Sequence, residues 1–372
     1  MRSFVIAGCL RLPPSLLYPQ AVPLTALNIQ QNISLAPFTT LRIGGSTRYF
    51  AQVHTEEELL DAVAFARKEN LALFVLGGGS NLVVSDIGFN GLVIHMALDG
   101  AITPGQQGDW LEYTVPAGAD WNNFVQVVCQ QGMSGIECLA GIPGTVGGIP
   151  VQNVGAYGQE VAETITSVRA LDLETTTFVT LDSAACGFAY RRSIFNTTHR
   201  GRYIVTAVTF RFDPTRKPHL TYADLSRYFG QSQPTPLEVY HAVREIRRGK
   251  GMLIVEGEPD SRSAGSFFKN PVVSPERFQH VASAVELSPD KIPHWPVEGG
   301  HIKLAAAWLL ERAGFVKGYA MGNVGISSRH TLALINRGNA SAADLFALRD
   351  AIQQRVKSLF SIDLEQEPVQ LG

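Results

Sequence analysis

Apolar and polar positions along the chain alternate between helical and strand spacings. Thr55 followed by Glu58 forms a capping box, and Leu59, Val63 and Ala66 then mark one face of a predicted helix. The run LALFVL (71–76) ends in glycines and predicts a buried strand, while LVVSD (82–86) and GLVIHM (91–96) predict further strands around a turn at Gly88 to Gly91. Asp120 predicts the cap of a helix that buries Phe124, Val127 and Val128 and stops at Gly132. From 165 to 212 the texture is β. SVRALDLETTTFVTL reads as a hairpin turning near Glu174, and RYIVTAVTFRF sets Ile204, Val208, Phe210 and Phe212 on one face.

The proline-rich, basic stretch DPTRKPHLTY (213–222) is the candidate domain boundary, and helical spacing dominates beyond it. Thr235-Pro236-Leu237-Glu238 combines an N-cap, a first-position proline and a capping carboxylate. Ser274-Pro275 opens another helix, and LAAAWLLERAG closes at Gly314. Ser341 begins a long helix carrying Leu345, Leu348, Ile352, Val356 and Leu359. Residues 1–30 hold Pro13, Pro14, Pro19 and Pro23 without a sustained period and are expected to be an irregular extension. The sum is an α+β chain: a mixed domain to about residue 215, then a smaller domain of helices and sheet.

The 372 residues are 45% hydrophobic and 17% charged, enough for a large core and incompatible with wholesale disorder. With 31 basic and 33 acidic residues the net charge is −2, so the basic stripe of a nucleic-acid surface is not expected. Cys9, Cys129, Cys138 and Cys186 lie far apart without a CxxC pair, which fits a reducing cytoplasm better than a disulfide framework. Ile6-Ala7-Gly8-Cys9 has the look of a lipoprotein cleavage box, but about five apolar residues precede it, short of the roughly 7–15 of a signal. Cys9 is therefore expected to carry no lipid, and no later apolar run reaches the ~18 residues of a membrane span. The nine histidines form no HxH or HxxxH cluster, so no metal is expected. His95 reads as a core residue, Cys138 and Cys186 as small buried hydrophobes.

Two segments are dense in glycine: LGGGSNLVVSD (76–86), directly after a predicted strand, and AGIPGTVGGIPVQNVGAYG (140–158). Glycine lets backbone N–H groups approach an anion closely, and paired loops of this kind suit a pyrophosphate gripped by main chain. Neither is a dinucleotide fingerprint, because GGGSN lacks the GxGxxG spacing and precedes a strand instead of a helix. No GxxxxGK[ST] occurs, so phosphate-loop ATP chemistry has no support.

LGGGSN, GIPGTVGG and QNVGAYG resemble the FAD-binding domain of the UDP-N-acetylenolpyruvoylglucosamine reductase family. TTLRIGG (39–45), YRRSIF (190–195), LTYADL (220–225), SRSAGSFFKNP (261–271) and KLAAAWLLERAG (303–314) follow in the family's order, from about residue 32 to the C-terminus. The resemblance implies an α+β fold: a vanillyl-alcohol-oxidase-like FAD-binding domain in two subdomains over 31–215 and an α/β substrate-binding domain over 216–358. A segment at 359–372 would return to the active site. It implies noncovalent FAD, with NADPH reducing the flavin and hydride then passing to UDP-N-acetylglucosamine-enolpyruvate. A cytoplasmic monomer engaging neither nucleic acid nor membrane is expected.

Cofactor contacts implied by the resemblance are Gly77, Gly78, Gly79, Ser80 and Asn81, then Gly141, Ile142, Pro143, Gly144, Gly147, Gly148, Asn153, Gly155, Ala156 and Tyr157. Reducing an enol ether conjugated to a carboxylate needs cationic or acidic donors aimed at that carboxylate and a proton source for the adjacent carbon. Arg191 matches the family's arginine that stabilises the charge, Ser266 its proton donor, and Glu367 its assisting glutamate near the C-terminus. Pro368 follows where the family usually has valine, and Glu365, two residues back, would share a strand face with Glu367. Tyr190, Tyr222, Lys250 and Asn270 carry over as substrate contacts. Two other readings stay open: a flavin oxidase of the same domain type, and a nucleotide-binding protein without chemistry.

Overall fold

The computed structural model describes residues 27–218 and 220–372. Most of the expected irregular extension, with Cys9, lies outside the described residues. The chain divides into two compact units.

The first unit comprises, among the described residues, 27–34, 46–79 and 89–248. A four-stranded sheet is formed by β1 (Ile29–Ser34), β2 (Ser46–Val53), β3 (Ala72–Leu76) and β4 (Phe89–Met96) in the order β1-β2-β4-β3. Ile29 and Gln30 therefore leave the expected extension: they pair with Ala51 and Phe50, the antiparallel partner supplying their hydrogen bonds. Helix α1 (Glu56–Lys68) crosses between parallel strands. Thr55 caps it by accepting from the Glu58 N–H at 3.1 Å, and Leu59, Ala62, Val63 and Ala66 are buried.

A five-stranded antiparallel sheet contains β5 (Thr103–Gln107), β6 (Trp110–Pro116), β7 (Ile165–Asp172), β8 (Thr177–Asp182) and β9 (Tyr203–Phe212), in the order β8-β7-β9-β6-β5. The β7–β8 hairpin turns around Glu174 as its pattern predicts. On α2 (Trp121–Gln130) the buried face is Trp121, Phe124, Val125, Val128 and Cys129, and Val127 is only half-buried. Starting the apolar stripe at Trp121 rotates the face by about a residue, the i, i+3, i+4, i+7 spacing of a core helix. Phe124 stacks 4.9 Å from Phe210 in this core.

The candidate boundary near 215 is a connection inside this unit. The chain runs on through α3 (Ala223–Phe229) and α4 (Pro236–Gly249), which bury Leu225, Val239, Tyr240 and Val243 in the same core as Phe124. Apolar packing, not loop composition, puts the division at Arg248/Gly249.

The second unit comprises Leu35–Gly45, Ser80–Gly88 and Gly249–Gly372. Its strands β10 (Val272–Val273), β11 (His294–Pro296) and β12 (Ile302–Leu304) make one small sheet, and β13 (Ala320–Met321), β14 (Val324–Ile326) and β15 (Leu334–Asn336) another. Helices α5 (Pro275–Ala284), α6 (Ala306–Arg312) and α7 (Ala342–Phe360) pack over them. Leu359 is half-buried and Phe360 takes the core position at the end of α7. The segment 359–372 is part of this unit: β16 (Val369–Leu371) pairs in parallel with the strand Leu82–Val84. Among the described residues, Cys129, Cys138 and Cys186 are free and buried, and no helix is long and apolar enough to cross a membrane.

Candidate active site

In the first unit the two glycine-rich loops lie backbone against backbone. A Cβ on Gly78 would sit 2.7 Å from Gly144 Cα, and one on Gly77 would sit 2.7 Å from Thr145 Oγ1. The second loop is pinned from behind. Trp121 N–H donates to Gly144 O at 3.1 Å, Val146 N–H to Ala119 O at 2.9 Å and Gly147 N–H to Ala117 O at 2.9 Å. Gly148 is exposed and faces open space. Ser80 and Asn81 fall with the second unit, where the Asn81 carbonyl accepts from Val369 N–H at 2.9 Å.

Helix α4 brings two guanidinium groups to this loop. Arg247 is buried and its Nε donates to Gly141 O at 3.2 Å. Asn122 Oδ1 accepts from both Gly141 N–H at 2.8 Å and Arg244 Nη1 at 2.9 Å. Burial pulls the Arg247 pKa down and a hydrogen bond with Tyr157 opposes it, but a guanidinium stays charged. Sequence reasoning took only Lys250 from IRRGKG. The legible signal was two arginines three apart on one predicted helix face.

The Thr145 hydroxyl is buried without a hydrogen-bond partner. A glycine cradle, an unsatisfied hydroxyl and two nearby guanidinium groups fit an anionic dinucleotide such as FAD.

The Asn153 side chain is engaged within the protein. Its Nδ2 donates to Glu160 Oε2 at 2.7 Å and to Ala189 O at 3.1 Å, and its Oδ1 accepts from Ala162 N–H at 3.1 Å. The side chain thereby ties the glycine loop to the AYRR turn. Gly155 and Ala156 pair with Glu160 and Gln159 around Tyr157, whose ring meets Tyr222 edge to face at 5.2 Å.

Tyr190 and Arg191 form a two-residue turn closed by Ala189 N–H to Arg192 O at 3.0 Å and Arg192 N–H to Ala189 O at 2.9 Å. Arg191 holds φ at +57°, a region costing a non-glycine residue on the order of 1–3 kcal/mol. Asn196 over-determines it: its Nδ2 donates to Arg191 O at 3.1 Å while its Oδ1 accepts from Ser193 N–H at 2.9 Å. The half-buried Arg191 guanidinium lies 5.8 Å from the ring centre of the exposed Tyr190.

In the second unit the AGSFFKN segment pairs antiparallel with the C-terminal chain. Phe268 stands opposite Gln366, Glu367 N–H donates to Phe267 O at 2.9 Å, and Lys269 N–H donates to Glu365 O at 2.9 Å. This register sets Glu367 opposite Phe267, the residue after Ser266. Glu365 instead meets Lys269, Nζ to Oε1 at 2.5 Å, with its side chain 70% exposed. Ser266 is half-buried between buried Ala264 and Phe267. Asn270 Oδ1 accepts from Ala306 N–H at 2.9 Å, capping α6 and leaving its amide nitrogen for other partners. Lys250, half-buried, follows the end of α4 directly. No cluster of three or more metal-ligating side chains occurs among the described residues.

Two family models match the chain. An FAD binding domain covers residues 47–182, and the C-terminal domain of UDP-N-acetylenolpyruvoylglucosamine reductase covers residues 258–371. The chain is 44% identical over 352 residues to the UDP-N-acetylenolpyruvoylglucosamine reductase of Thermobifida fusca, covering 92% of this chain and 98% of that one. It is 41% identical over 345 residues to the enzyme of the same name from Saccharopolyspora erythraea, covering 90% and 94%. The crystal structure of UDP-N-acetylenolpyruvylglucosamine reductase from Thermus caldophilus superposes with a TM-score of 0.62 at 26% identity, over 93% of this chain and all of that one. With that identity sustained over nearly the full length of both chains, this chain belongs to the UDP-N-acetylenolpyruvoylglucosamine reductase family.

Proposed function

We propose that this chain is an FAD-containing, NADPH-dependent oxidoreductase that reduces UDP-N-acetylglucosamine-enolpyruvate to UDP-N-acetylmuramate in peptidoglycan precursor synthesis. FAD, when bound, supplies two-electron chemistry, taking hydride from NADPH and delivering it to the terminal carbon of the enol ether. The glycine loops at 77–79 and 141–148, with Arg244 and Arg247, would hold its pyrophosphate. The free buried thiols suit the reducing cytoplasm, where we place a monomer.

The chain's own residues then manage charge and one proton. As hydride arrives, negative charge builds on the substrate carboxylate, and the Arg191 guanidinium is assigned to hold it through two parallel hydrogen bonds. The turn supports that role by fixing the backbone from which the Arg191 side chain projects, through the Asn196 and Asn153 side chains. Ser266 Oγ is assigned to protonate the carbon next to the carboxylate, with Glu367 assisting. A serine hydroxyl is a weak acid and needs a polarised neighbour to serve.

The observation that carries this reading is the antiparallel register of the AGSFFKN segment with residues 365–367. The ion pair of Lys269 with the Glu365 carboxylate supports Glu367 over Glu365 as the assisting carboxylate. Tyr190, Tyr222, Lys250 and Asn270 are assigned to the UDP-sugar.

Anaerobic half-reactions test the assignment. Ser266→Ala should keep flavin reduction by NADPH within about twofold while slowing reoxidation by the enolpyruvyl nucleotide by on the order of a thousandfold or more. Equal damage to both half-reactions would give Ser266 a structural role instead.

A further inference from the structure

A charged cluster in the second unit has no part in the scheme above. Asp260 is buried, and its carboxylate collects hydrogen bonds from the loop at 327–330. Its Oδ1 accepts from Ser328 N–H at 3.3 Å, and its Oδ2 accepts from Ser328 Oγ at 2.8 Å and Arg329 Nε at 3.0 Å. Glu258 takes the other end of the same guanidinium, accepting from Arg329 Nη2. Burial pushes the Asp260 carboxyl up, but the hydrogen bonds from Ser328 and Arg329 outweigh it and hold it below the usual carboxylate range. Ser327, fully buried, fixes the loop further, its Oγ accepting from Arg329 N–H at 3.0 Å and His330 N–H at 3.2 Å. An ion pair around a buried carboxylate adds little stability over apolar packing; what it adds is fixed geometry.

Gly251 rests on that geometry. It is buried with φ at +64°, and a Cβ there would lie 3.1 Å from Arg329 Nε, 3.3 Å from Asp260 Cβ and 3.3 Å from Ser327 Oγ. The main chain at 251 therefore lies directly against the ion pair, with no side chain between them. Lys250 is the residue before it, its Cα one peptide, about 3.8 Å, away. A shift of Asp260 or Arg329 moves the root of the Lys250 side chain.

We infer that Asp260 and Arg329 are positioning residues for substrate binding: their ion pair seats Gly251 so that the Lys250 ammonium meets the diphosphate of the UDP-sugar. The inference rests on the assignment of Lys250 to the UDP-sugar above. An ammonium on a flexible four-carbon stem gains from a fixed root, because the stem itself brings no preorganisation.

A double-mutant cycle on the oxidised holoenzyme tests this, with the enolpyruvyl nucleotide titrated by calorimetry in the absence of NADPH. Lys250→Ala should raise the dissociation constant about tenfold or more, the loss of a charge-assisted contact to phosphate. Asp260→Asn should raise it about fivefold when Lys250 is present, and by less than about 1.5-fold when Lys250 is already alanine. In turnover, Asp260→Asn should raise KM with kcat kept within about twofold, because the contact it weakens is made equally in ground and transition states. Gly251→Ala leaves both charges in place and crowds Arg329. It should show the same dependence on Lys250, and it decides the matter if Asp260→Asn does not fold. No loss of affinity, or equal losses with and without Lys250, overturns the inference, since the pair would then serve the fold alone. So does a lowered kcat at unchanged affinity, which would direct the effect to the strand of Ser266 instead. If Lys250→Ala by itself keeps affinity within about twofold, the assignment of Lys250 fails first, which the cycle registers separately.

Discussion

The chemistry of single residues here is set by what their neighbours leave unsatisfied. Glu365 and Glu367 are two apart and chemically identical, yet one meets Lys269 while the other stands opposite Phe267, the residue after Ser266. Gly77 and Gly78 are adjacent and also differ. An alanine Cβ at 78 would meet Gly144 Cα, a backbone atom that cannot turn aside, whereas at 77 it would meet a threonine hydroxyl on a rotatable bond. Gly78→Ala should therefore destabilise the protein by about 1–3 kcal/mol, an overpacking cost, and Gly77→Ala by clearly less. Denaturant melts of the two variants check this. Equal midpoints would mean that the loops do not pack as closely as described.

At the scale of elements, the start of α7 illustrates how distant sequence closes a helix. Ser341 Oγ accepts from Asp344 N–H at 3.0 Å, and Asp344 Oδ2 accepts from Ser341 N–H at 3.0 Å, a reciprocal cap. Asp86, more than 250 residues earlier, accepts from Ala342 N–H at 2.8 Å and Ala343 N–H at 2.9 Å. Its two oxygens thus serve amides that a lone N-cap leaves orphaned. Ser341→Ala should cost about 1 kcal/mol. Asp86→Ala should cost more, about 2–3 kcal/mol, because it removes two charge-assisted bonds at the positive end of a 19-residue helix. Urea unfolding of both variants gives the comparison, and a smaller loss for Asp86→Ala would refute the larger role given to it.

For the whole molecule, the decisive feature is that the second unit is not a contiguous stretch of chain. Its core includes Leu41, Ile43 and Val83 alongside Leu304, Leu345 and Phe360. Its C-terminal strand β16 has only the strand Leu82–Val84 as partner in its two-stranded sheet. Asn336 Nδ2 also donates to Leu41 O at 3.0 Å. A fragment of residues 249–372 would expose those apolar faces and leave β16 unpaired. Expressed alone, it should show no cooperative thermal transition by circular dichroism. A sharp, reversible melt would mean that the two early segments are dispensable to this core.

Local pattern by itself determined much of this protein. The caps at Thr55, Asp120, Thr235, Ser274 and Ser341 and the β7–β8 hairpin were legible because each depends on residues a few positions apart. The glycine loops and the AGSFFKN string pointed to the family for the same reason: short backbone motifs leave a dense local signature. Only the tertiary structure decided where the units divide, because a loop rich in proline marks a turn, and packing on either side marks a boundary. Only it paired Glu365 with Lys269, tied the Asn153 side chain to Glu160 and Ala189, and drew Arg244 and Arg247 to the loop at Gly141. Those outcomes rest on hydrogen bonds and ion pairs between residues as much as about 120 positions apart. Such contacts depend on three-dimensional proximity, which no local spacing of residue types encodes.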